Sequence, residues 1–354
     1  MRVSRLTNEA RNDAYTVRAL SALTCLLATT GVAEASDSNG HPRDATLRQA
    51  RQLTSVQNTY PSASPDGSRV VFQSNRTGRW ELFVMRADGT DLQQLTNAPG
   101  DNVTPKWSPD SRHIAFAAER TPGDSEIYVM DVDGGNVRAL NPAPGDDSHP
   151  GWSPDGSRVI FNSARNTPDP TADWSRQWHD VYSVRADDGG DLRRHTNCRS
   201  VCTYPSYSPD GARIAYRKVV DAPAFQWDLT SAVRNSEVFV AQVDGSEERN
   251  VSNSAAFDGW PVFTPDGRGV VFSSNRAGPA RVGQLYVVML SGDADEAPRA
   301  LTDAARSVVQ ASFSRDGRAL YAYVNDELPD TEYGDVVRFE WSGGAPAAPA
   351  ADAN

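Results

Sequence analysis

The sequence predicts an all-β fold, a six-bladed β-propeller built from four-stranded blades. Three observations predict it: a turn motif recurs six times, the same short strands surround each copy, and one unpaired strand pattern precedes the first copy. Three copies read Ser-Pro-Asp-Gly and the others differ from it at one position, and together they occupy residues 64–67, 108–111, 153–156, 208–211, 264–267 and 314–317. Their aspartates are 44 to 56 residues apart, a period typical of propeller blades.

Each repeat contains the elements of one blade in the same order. A strand leads into the turn motif and a second strand follows it, because proline fixes φ and glycine accepts positive φ in a tight turn. A third strand rich in β-branched and aromatic residues comes next, as at 126–130, followed by an Asp-Gly hairpin turn and a short strand, as at 137–140. This order predicts four antiparallel strands in every blade.

The two ends of the array complement each other. Residues 335–339 form the last third strand without a clear fourth strand after them, whereas residues 49–54 stand alone before the first repeat and match the fourth strands at 92–96 and 299–302. We expect this N-terminal strand to complete the last blade, because the ring then has no unpaired edge. The propeller is thus predicted over residues 49–344, with a disordered Ala/Pro tail over 345–354.

The residues before the array are typical of a signal peptide. Arg18, an apolar run over 19–28 and Ala33-Glu34-Ala35 predict a leader over residues 1–35, followed by a linker over 36–48. A disordered or helical tail is the alternative. The apolar run is too short to span a bilayer. We therefore expect a periplasmic or secreted monomer without a membrane span.

The charge of the chain restricts its partners. Its 35 Lys+Arg and 46 Asp+Glu give a formal net charge of −11, and the basic residues form no cluster. A chain of this kind does not attract a phosphate backbone or an anionic membrane surface. Nucleic acid is excluded as a partner.

Two cysteines follow the leader, Cys198 and Cys202. In an oxidising compartment this pair predicts a disulfide. A metal site is the alternative, but His195 is the one further ligand nearby and structural zinc needs four.

The repeat resembles that of the TolB family. The similarity to the TolB propeller repeat covers roughly residues 50–342. The repeat follows the general order Pro-x-Trp-Ser-Pro-Asp-Gly, an apolar strand, Glu-Ile-Tyr-Val-Met-Asp, Asp-Gly and Arg-x-Leu-Thr. Similar repeats occur in propeller domains of prolyl-oligopeptidase-type peptidases and in some oligogalacturonate lyases. The resemblance implies the propeller alone, since we expect neither the α/β domain that precedes the TolB propeller nor a hydrolase domain with a G-x-S-x-G motif.

One position in each repeat is expected to face the central channel, because residues at the start of the innermost strands converge there. These residues are Tyr60, Thr104, His149, Tyr204, Trp260 and Gln310. Polar neighbours stand beside them at Asn58, Asn102, Asp147 and Asp258. Four aromatic rings with Asp147 and Asp258 beside them predict an aromatic funnel for a cationic or hydroxyl-rich ligand.

Two insertions lengthen loops between second and third strands in adjacent blades. They carry the aromatic residues Trp174, Trp178, Phe225 and Trp227. These loops emerge on the same face as the connections between blades, so the rings are expected beside the channel mouth. Aromatic residues in long loops favour ligand recognition, the alternative being a cluster that holds the insertions in place.

Together these patterns predict a protein-, peptide- or glycan-binding module without a cofactor. The alternative function is a metal-assisted polysaccharide lyase of the oligouronate type, using His149 and channel acids. His149 and Gln310 are similar to metal ligands of the lyases, but His41, His113, His179 and His195 do not occupy equivalent repeat positions. The small number of ligands favours binding over catalysis.

Overall fold

The computed structural model of the protein describes residues 48–52, 57–169, 177–221, 235–278, 282–290, 297–303, 306–325 and 334–343. All regular structure within these ranges is β-strand. Over the same ranges, no helix is long and apolar enough to cross a membrane. The predicted leader, most of the linker and the C-terminal tail lie outside the described residues.

The chain forms short strands throughout. In chain order they are β1 (Arg48–Gln52), β2 (Asn58–Ala63), β3 (Arg69–Ser74), β4 (Glu81–Arg86), β5 (Gln93–Gln94), β6 (Asn102–Trp107), β7 (His113–Thr121), β8 (Asp124–Asp131), β9 (Arg138–Ala139), β10 (Asp147–Trp152), β11 (Arg158–Ser163), β12 (Asp180–Arg185), β13 (Arg193–Arg194), β14 (Cys202–Tyr207), β15 (Arg213–Asp221), β16 (Asn235–Gln242), β17 (Arg249–Asn250), β18 (Asp258–Phe263), β19 (Gly269–Ser274), β20 (Gln284–Met289), β21 (Arg299–Ala300), β22 (Ser307–Phe313), β23 (Ala319–Asn325) and β24 (Asp335–Glu340).

These strands form six four-stranded sheets, which are the blades of one propeller. Blades I to V are the consecutive sets β2–β5, β6–β9, β10–β13, β14–β17 and β18–β21. Blade VI has the order β22-β23-β24-β1, and β1 pairs antiparallel with β24 so that Gln52 lies opposite Val337. The six-bladed fold and its closure by an N-terminal strand are therefore confirmed, with the closing strand at 48–52 instead of 49–54.

The hydrophobic core lies between neighbouring blades. One buried cluster joins Phe72 and Phe83 of blade I to Tyr321 and Val336 of blade VI. Others join blades II and III, blades IV and V, and blades V and VI in the same way. Each blade buries its faces against its neighbours, so the ring is stabilised as one unit.

The repeated motif forms the turn between the first and second strands of each blade. In blade I, the amide of Gly67 donates to the Ser64 carbonyl at 2.9 Å, and the Ser64 hydroxyl donates to the Asp66 carboxylate at 2.5 Å. The same hydroxyl-to-aspartate bond recurs in the other five blades. The motif is structural, and its proline and glycine set the turn.

Candidate binding channel

Each innermost strand is interrupted by a β-bulge at the same repeat position. In blade I the pairing of β2 with β3 shifts between Thr59 and Ser62, and Tyr60 between them has a φ of 52°. Equivalent shifts occur in the other five innermost strands. The residues at this position, here called the channel layer, are Tyr60, Thr104, His149, Tyr204, Trp260 and Gln310, with φ between 50° and 59°. Left-handed backbone costs a non-glycine residue about 1 kcal/mol, so six equivalent instances are a built-in feature of this fold.

The side chains of the channel layer meet across the ring. The ring centroids of Tyr60 in blade I and His149 in blade III are 5.9 Å apart, and those of His149 and Tyr204 are 4.0 Å apart. Trp260 in blade V continues the series, 5.4 Å from Tyr204, and its Nε1 donates to the Tyr60 hydroxyl at 3.2 Å. The four rings therefore converge across the channel, as the sequence predicts.

The channel layer separates two chambers. The mouth-side chamber, of about 390 Å³, is also lined by Ser125, Asp146 and Ser148, which lie where β8 begins and where the chain enters β10. The turn-side chamber, of about 310 Å³, is lined by the parts of the innermost strands that lead into the repeated turns. Half-buried aromatic rings therefore lie between the two openings, and the predicted funnel is a layer inside the channel.

Side chains of neighbouring blades hold the bulged backbone in place. The Tyr60 amide donates to Gln310 Oε1 at 3.0 Å, and the Thr104 amide donates to Gln73 Oε1 at 2.7 Å. Asn162 Oδ1 lies 3.4 Å from the Tyr204 amide and 3.0 Å from His149 Nδ1. These bonds satisfy amides that the bulge removes from the strand ladder.

The channel layer carries no net charge at neutral pH. Burial lowers the pKa of His149 to about 3, with the nearby positive charges of Arg217 and Lys106 acting in the same direction and the bond to Asn162 opposing them. Burial raises the pKa of Tyr60 and of Tyr204 above the usual value of 10.0. The layer thus offers neutral aromatic faces and hydrogen-bonding groups, while its charges come from neighbouring residues.

Arg217 is a buried cation that the sequence analysis did not single out. Its side chain is fully buried on β15, and its Cζ lies 5.4 Å from the Tyr204 ring centroid and 5.1 Å from that of Phe257. Gly259 permits this approach, since a Cβ there would lie 3.1 Å from Arg217 Cδ. The sequence could have indicated this buried cation, because Arg217 is charged where the equivalent second-strand residues of the other five blades are neutral. Those residues are Gln73, Ala117, Asn162, Ser273 and Tyr323.

The polar neighbours of the channel layer do not present free charge to the channel. Asn102, Asp147 and Asp258 are fully buried. Each bonds an arginine 18 residues later: Arg120 Nη2 lies 2.6 Å from Asn102 Oδ1, Arg165 Nη2 lies 2.7 Å from Asp147 Oδ2, and Arg276 Nη2 lies 2.7 Å from Asp258 Oδ2. The prediction that these acids place negative charge beside the rings is wrong, because the arginines neutralise them within the blades.

Of the tryptophans predicted in the loops, Trp178 is described. Its side chain is 37% exposed, and its amide donates to Thr167 Oγ1 at 3.1 Å. It precedes the buried His179, whose backbone pairs with Val201. Trp174, Phe225 and Trp227 lie outside the described residues. Trp178 is thus exposed for contact at the start of the third strand of blade III.

The predicted disulfide between Cys198 and Cys202 is present, with 6.3 Å between the Cα atoms. Cys202 is two residues before Tyr204, the position that Asp147 and Asp258 occupy in blades III and V. In blade IV the covalent bond therefore takes the place of the carboxylate–arginine pair. Among the described residues, no group of three or more His, Cys, Asp or Glu side chains could hold a metal ion.

Comparison with known proteins agrees with this architecture. A family described as the TolB beta propeller domain matches residues 95–170. The chain is a six-bladed propeller that is similar to the TolB beta propeller domain. It is 29% identical over 151 residues to a TolB homologue of Chlorobium luteolum, covering 42% of this chain and 31% of that protein. It is 30% identical over 86 residues to the Tol-Pal system protein TolB of Alcanivorax borkumensis, covering 24% and 19%. The TolB-like propeller thus matches less than a third of these curated relatives.

Solved structures share the fold of the TolB-like propeller. The crystal structure of TolB from Acinetobacter baumannii superposes with a TM-score of 0.58 at 15% identity, over 80% of this chain and 66% of that one. An oligogalacturonate lyase in complex with manganese gives a TM-score of 0.54 at 14% identity, over 83% and 93%. In the channel layer, His149 and Gln310 are the side chains that suit a metal, so the described residues do not fit a manganese site.

Proposed function

We propose that this TolB-like propeller is an exported binding module that holds a protein or peptide segment on the mouth side of its channel layer. The observation that supports it is the aromatic layer itself, in which rings from blades I, III, IV and V meet between two chambers. Packing of the innermost strands does not require four large rings at one repeat position. A layer of half-buried aromatic side chains is a common anchor for protein segments.

The mouth-side chamber favours a neutral or basic segment. Asp146 is the one charged residue among those that line it, and the Ser125 amide donates to its carboxylate at 3.0 Å. The chain as a whole has a formal net charge of −11. A cationic side chain can pack over Tyr60 or Trp260 and gain from the negative face of the ring. The relatives named for the Tol-Pal system are consistent with a protein partner, and export agrees with the predicted leader.

The experiment is a binding screen of the purified protein against two panels. One panel contains basic, neutral and acidic peptides, and the other contains oligosaccharides that include oligogalacturonates. We expect capture of basic or neutral peptides. Capture of oligosaccharides and of no peptide would show that the ligand is a glycan and not a peptide. Formation of an unsaturated product from oligogalacturonates with added Mn²⁺ would establish the lyase instead.

Variants locate the site on the protein. Trp178→Ala should abolish capture without lowering the melting temperature, because its ring is 37% exposed. Tyr60→Phe removes the acceptor of the Trp260 Nε1 bond and should weaken capture with little change in folding. Leu92→Ala, at an exposed side chain of the outer hairpin in blade I, is the matched control. Equal capture by all three variants would refute the site.

The sequence also predicts that Trp260→Ala abolishes capture at an almost unchanged melting temperature. The structure changes the expectation for the melting temperature, because the Trp260 ring packs 5.4 Å from Tyr204 and 5.1 Å from Phe257. Removing a half-buried ring leaves a cavity, so this variant should lose stability as well as capture. Tyr60→Phe is therefore the cleaner test of the channel layer.

A further inference from the structure

The turn-side chamber lies on the opposite side of the channel layer from the site proposed above and has a different chemistry, although the channel layer lines both chambers. Its volume of about 310 Å³ lies at the lower end of the range for small-molecule pockets. Its walls are mainly apolar, with Trp152, Val262, Phe263 and Phe313 among the lining residues. Lys106 is the one lining residue with a side chain that is charged at neutral pH, and no carboxylate lines the chamber among the described residues.

Lys106 is an exception within its repeat position. It lies two residues after the channel layer, where the other five blades carry small or medium-sized side chains: Ser62, Gly151, Ser206, Val262 and Ser312. Packing of an innermost strand therefore does not require a long cationic side chain here. The short side chains of the other blades leave the space that the lysine enters.

The Lys106 ammonium group has no partner. Within the described residues, its Nζ forms neither a hydrogen bond nor an ion pair, whereas Nζ of Lys218 lies 2.8 Å and 3.0 Å from the two carboxylate oxygens of Glu248. Burial lowers the pKa of Lys106 to about 8, and this still leaves most of the group protonated at neutral pH. A half-buried ammonium without a counter-charge is costly, and an anion in the chamber would remove that cost.

We propose that the turn-side chamber binds a small monocarboxylate with an aromatic or other apolar body. The carboxylate accepts charge-assisted hydrogen bonds from Lys106, and the apolar body packs against Trp152, Phe263 and the turn-side surface of the channel layer.

The surrounding charges favour one carboxylate over several. The six turns on this face each carry an aspartate, and their hydroxyl and amide partners hold five of them below the usual pKa: Asp66, Asp110, Asp155, Asp210 and Asp316. Arginines beside Asp66, Asp110, Asp210 and Asp316 lower the pKa of these carboxyls as well, so this face carries charges of both signs. Arg315 is a further cation on this face, and its Nη1 donates to the Pro109 carbonyl at 2.7 Å. Inside the chamber the single ammonium group of Lys106 matches one carboxylate better than several.

Isothermal titration calorimetry with phenylacetate, phenylacetamide and inorganic phosphate tests the proposal. We expect phenylacetate to bind about tenfold or more tightly than the uncharged amide, as one charge-assisted bond implies, and phosphate to bind weakly. Lys106→Met keeps the length of the side chain and removes its charge, so it should weaken phenylacetate binding by a similar factor. Lys218→Met is the matched control and should bind as the wild type does.

A second measurement does not depend on a variant that folds. Because the chain has two lysines, reductive ¹³C-methylation gives few amine resonances, and phenylacetate should shift the one from Lys106 and raise its pKa. The proposal is overturned by undetectable phenylacetate binding, by equal affinity for phenylacetamide or phosphate, or by equal losses in the two methionine variants. The peptide site on the mouth side is tested independently, because Trp178→Ala should leave phenylacetate binding unchanged.

Discussion

Two arginines at the same repeat position offer a matched test of buried charge in this propeller. Arg76 Nη2 lies 2.7 Å from Asn58 Oδ1, and Arg276 Nη2 lies 2.7 Å from Asp258 Oδ2. Each Nε donates to a serine hydroxyl two residues earlier, at 3.0 Å and 2.9 Å, and each guanidinium packs over two aromatic rings. The main difference is that one partner is a neutral amide and the other a carboxylate. Arg276 also donates to the Ser252 carbonyl at 3.0 Å.

Replacing each arginine by methionine should therefore cost different amounts of folding free energy. Arg76→Met removes a hydrogen bond to the buried amide oxygen of Asn58, which costs about 1–3 kcal/mol. Arg276→Met leaves the fully buried Asp258 carboxylate without its counter-charge, which costs about 3–5 kcal/mol. The difference is about 2 kcal/mol, or about 4 °C in melting temperature for a domain of this size.

The assay is thermal unfolding of both single variants and of Arg276→Met/Asp258→Asn. The double variant should return to the level of Arg76→Met, because the buried charge has gone. Burial already raises the pKa of Asp258 while Arg276 lowers it, so removing Arg276 raises it further. A carboxyl whose pKa is raised by folding loses stability as pH increases, and the excess loss should therefore shrink on acidification. Equal losses in the two single variants would refute the reasoning.

Three further predictions follow from the fold. Deleting residues 36–54 removes β1 and exposes the edge of β24, so the melting temperature should fall by many degrees or the protein should aggregate; an unchanged melting curve would contradict ring closure. Reducing the Cys198–Cys202 disulfide should loosen the connection to blade IV while costing less than the roughly 3 kcal/mol of a 15-residue loop; two free thiols in unreduced peptides of exported protein, found by mass spectrometry, would disprove the bond. Burial, and then the charge of Asp147, raises the pKa of Glu126 above its usual value of 4.5, and burial raises the pKa of the neighbouring Asp147 as well, so stability should decline as pH rises above 4.5. Thermal melts of Glu126→Gln should show a flatter decline, and a decline as steep as in the wild type would exclude this carboxyl as its source.

The sequence was sufficient for the architecture because the signals for it are local. The turn motif, the hairpin turns and the unpaired strand over 49–54 each depend on neighbouring residues, and their number and order predict the blades. The ring of six channel residues followed from the same alignment of repeats. These parts of the structure needed no knowledge of which side chains meet.

The rest depends on contacts between distant residues. A residue before proline normally favours extended backbone, and nothing local predicts that Tyr60, His149 and Trp260 adopt a left-handed conformation. Bonds from neighbouring blades, such as that from the Tyr60 amide to Gln310, compensate for it. Similarly, the 18-residue interval between Asp258 and Arg276 has meaning only once the strand register is known. For this reason the sequence analysis expected the negative charges of Asp147 and Asp258 to act on a ligand, whereas in the fold both carboxylates are paired with arginines.

At the bulge in the innermost strands, the backbone conformation does not depend on which side chain faces the channel. The left-handed backbone at this position is imposed by pairing and by bonds between blades, since residues as different as Thr104, Gln310 and Trp260 adopt it alike. Side chains of very different size are therefore compatible with this backbone, although Gln310 also accepts a hydrogen bond from the Tyr60 amide and the Trp260 ring contributes to packing. Substitutions in the channel layer that keep Gln310 and Trp260 are therefore a natural starting point for a library designed to bind new ligands.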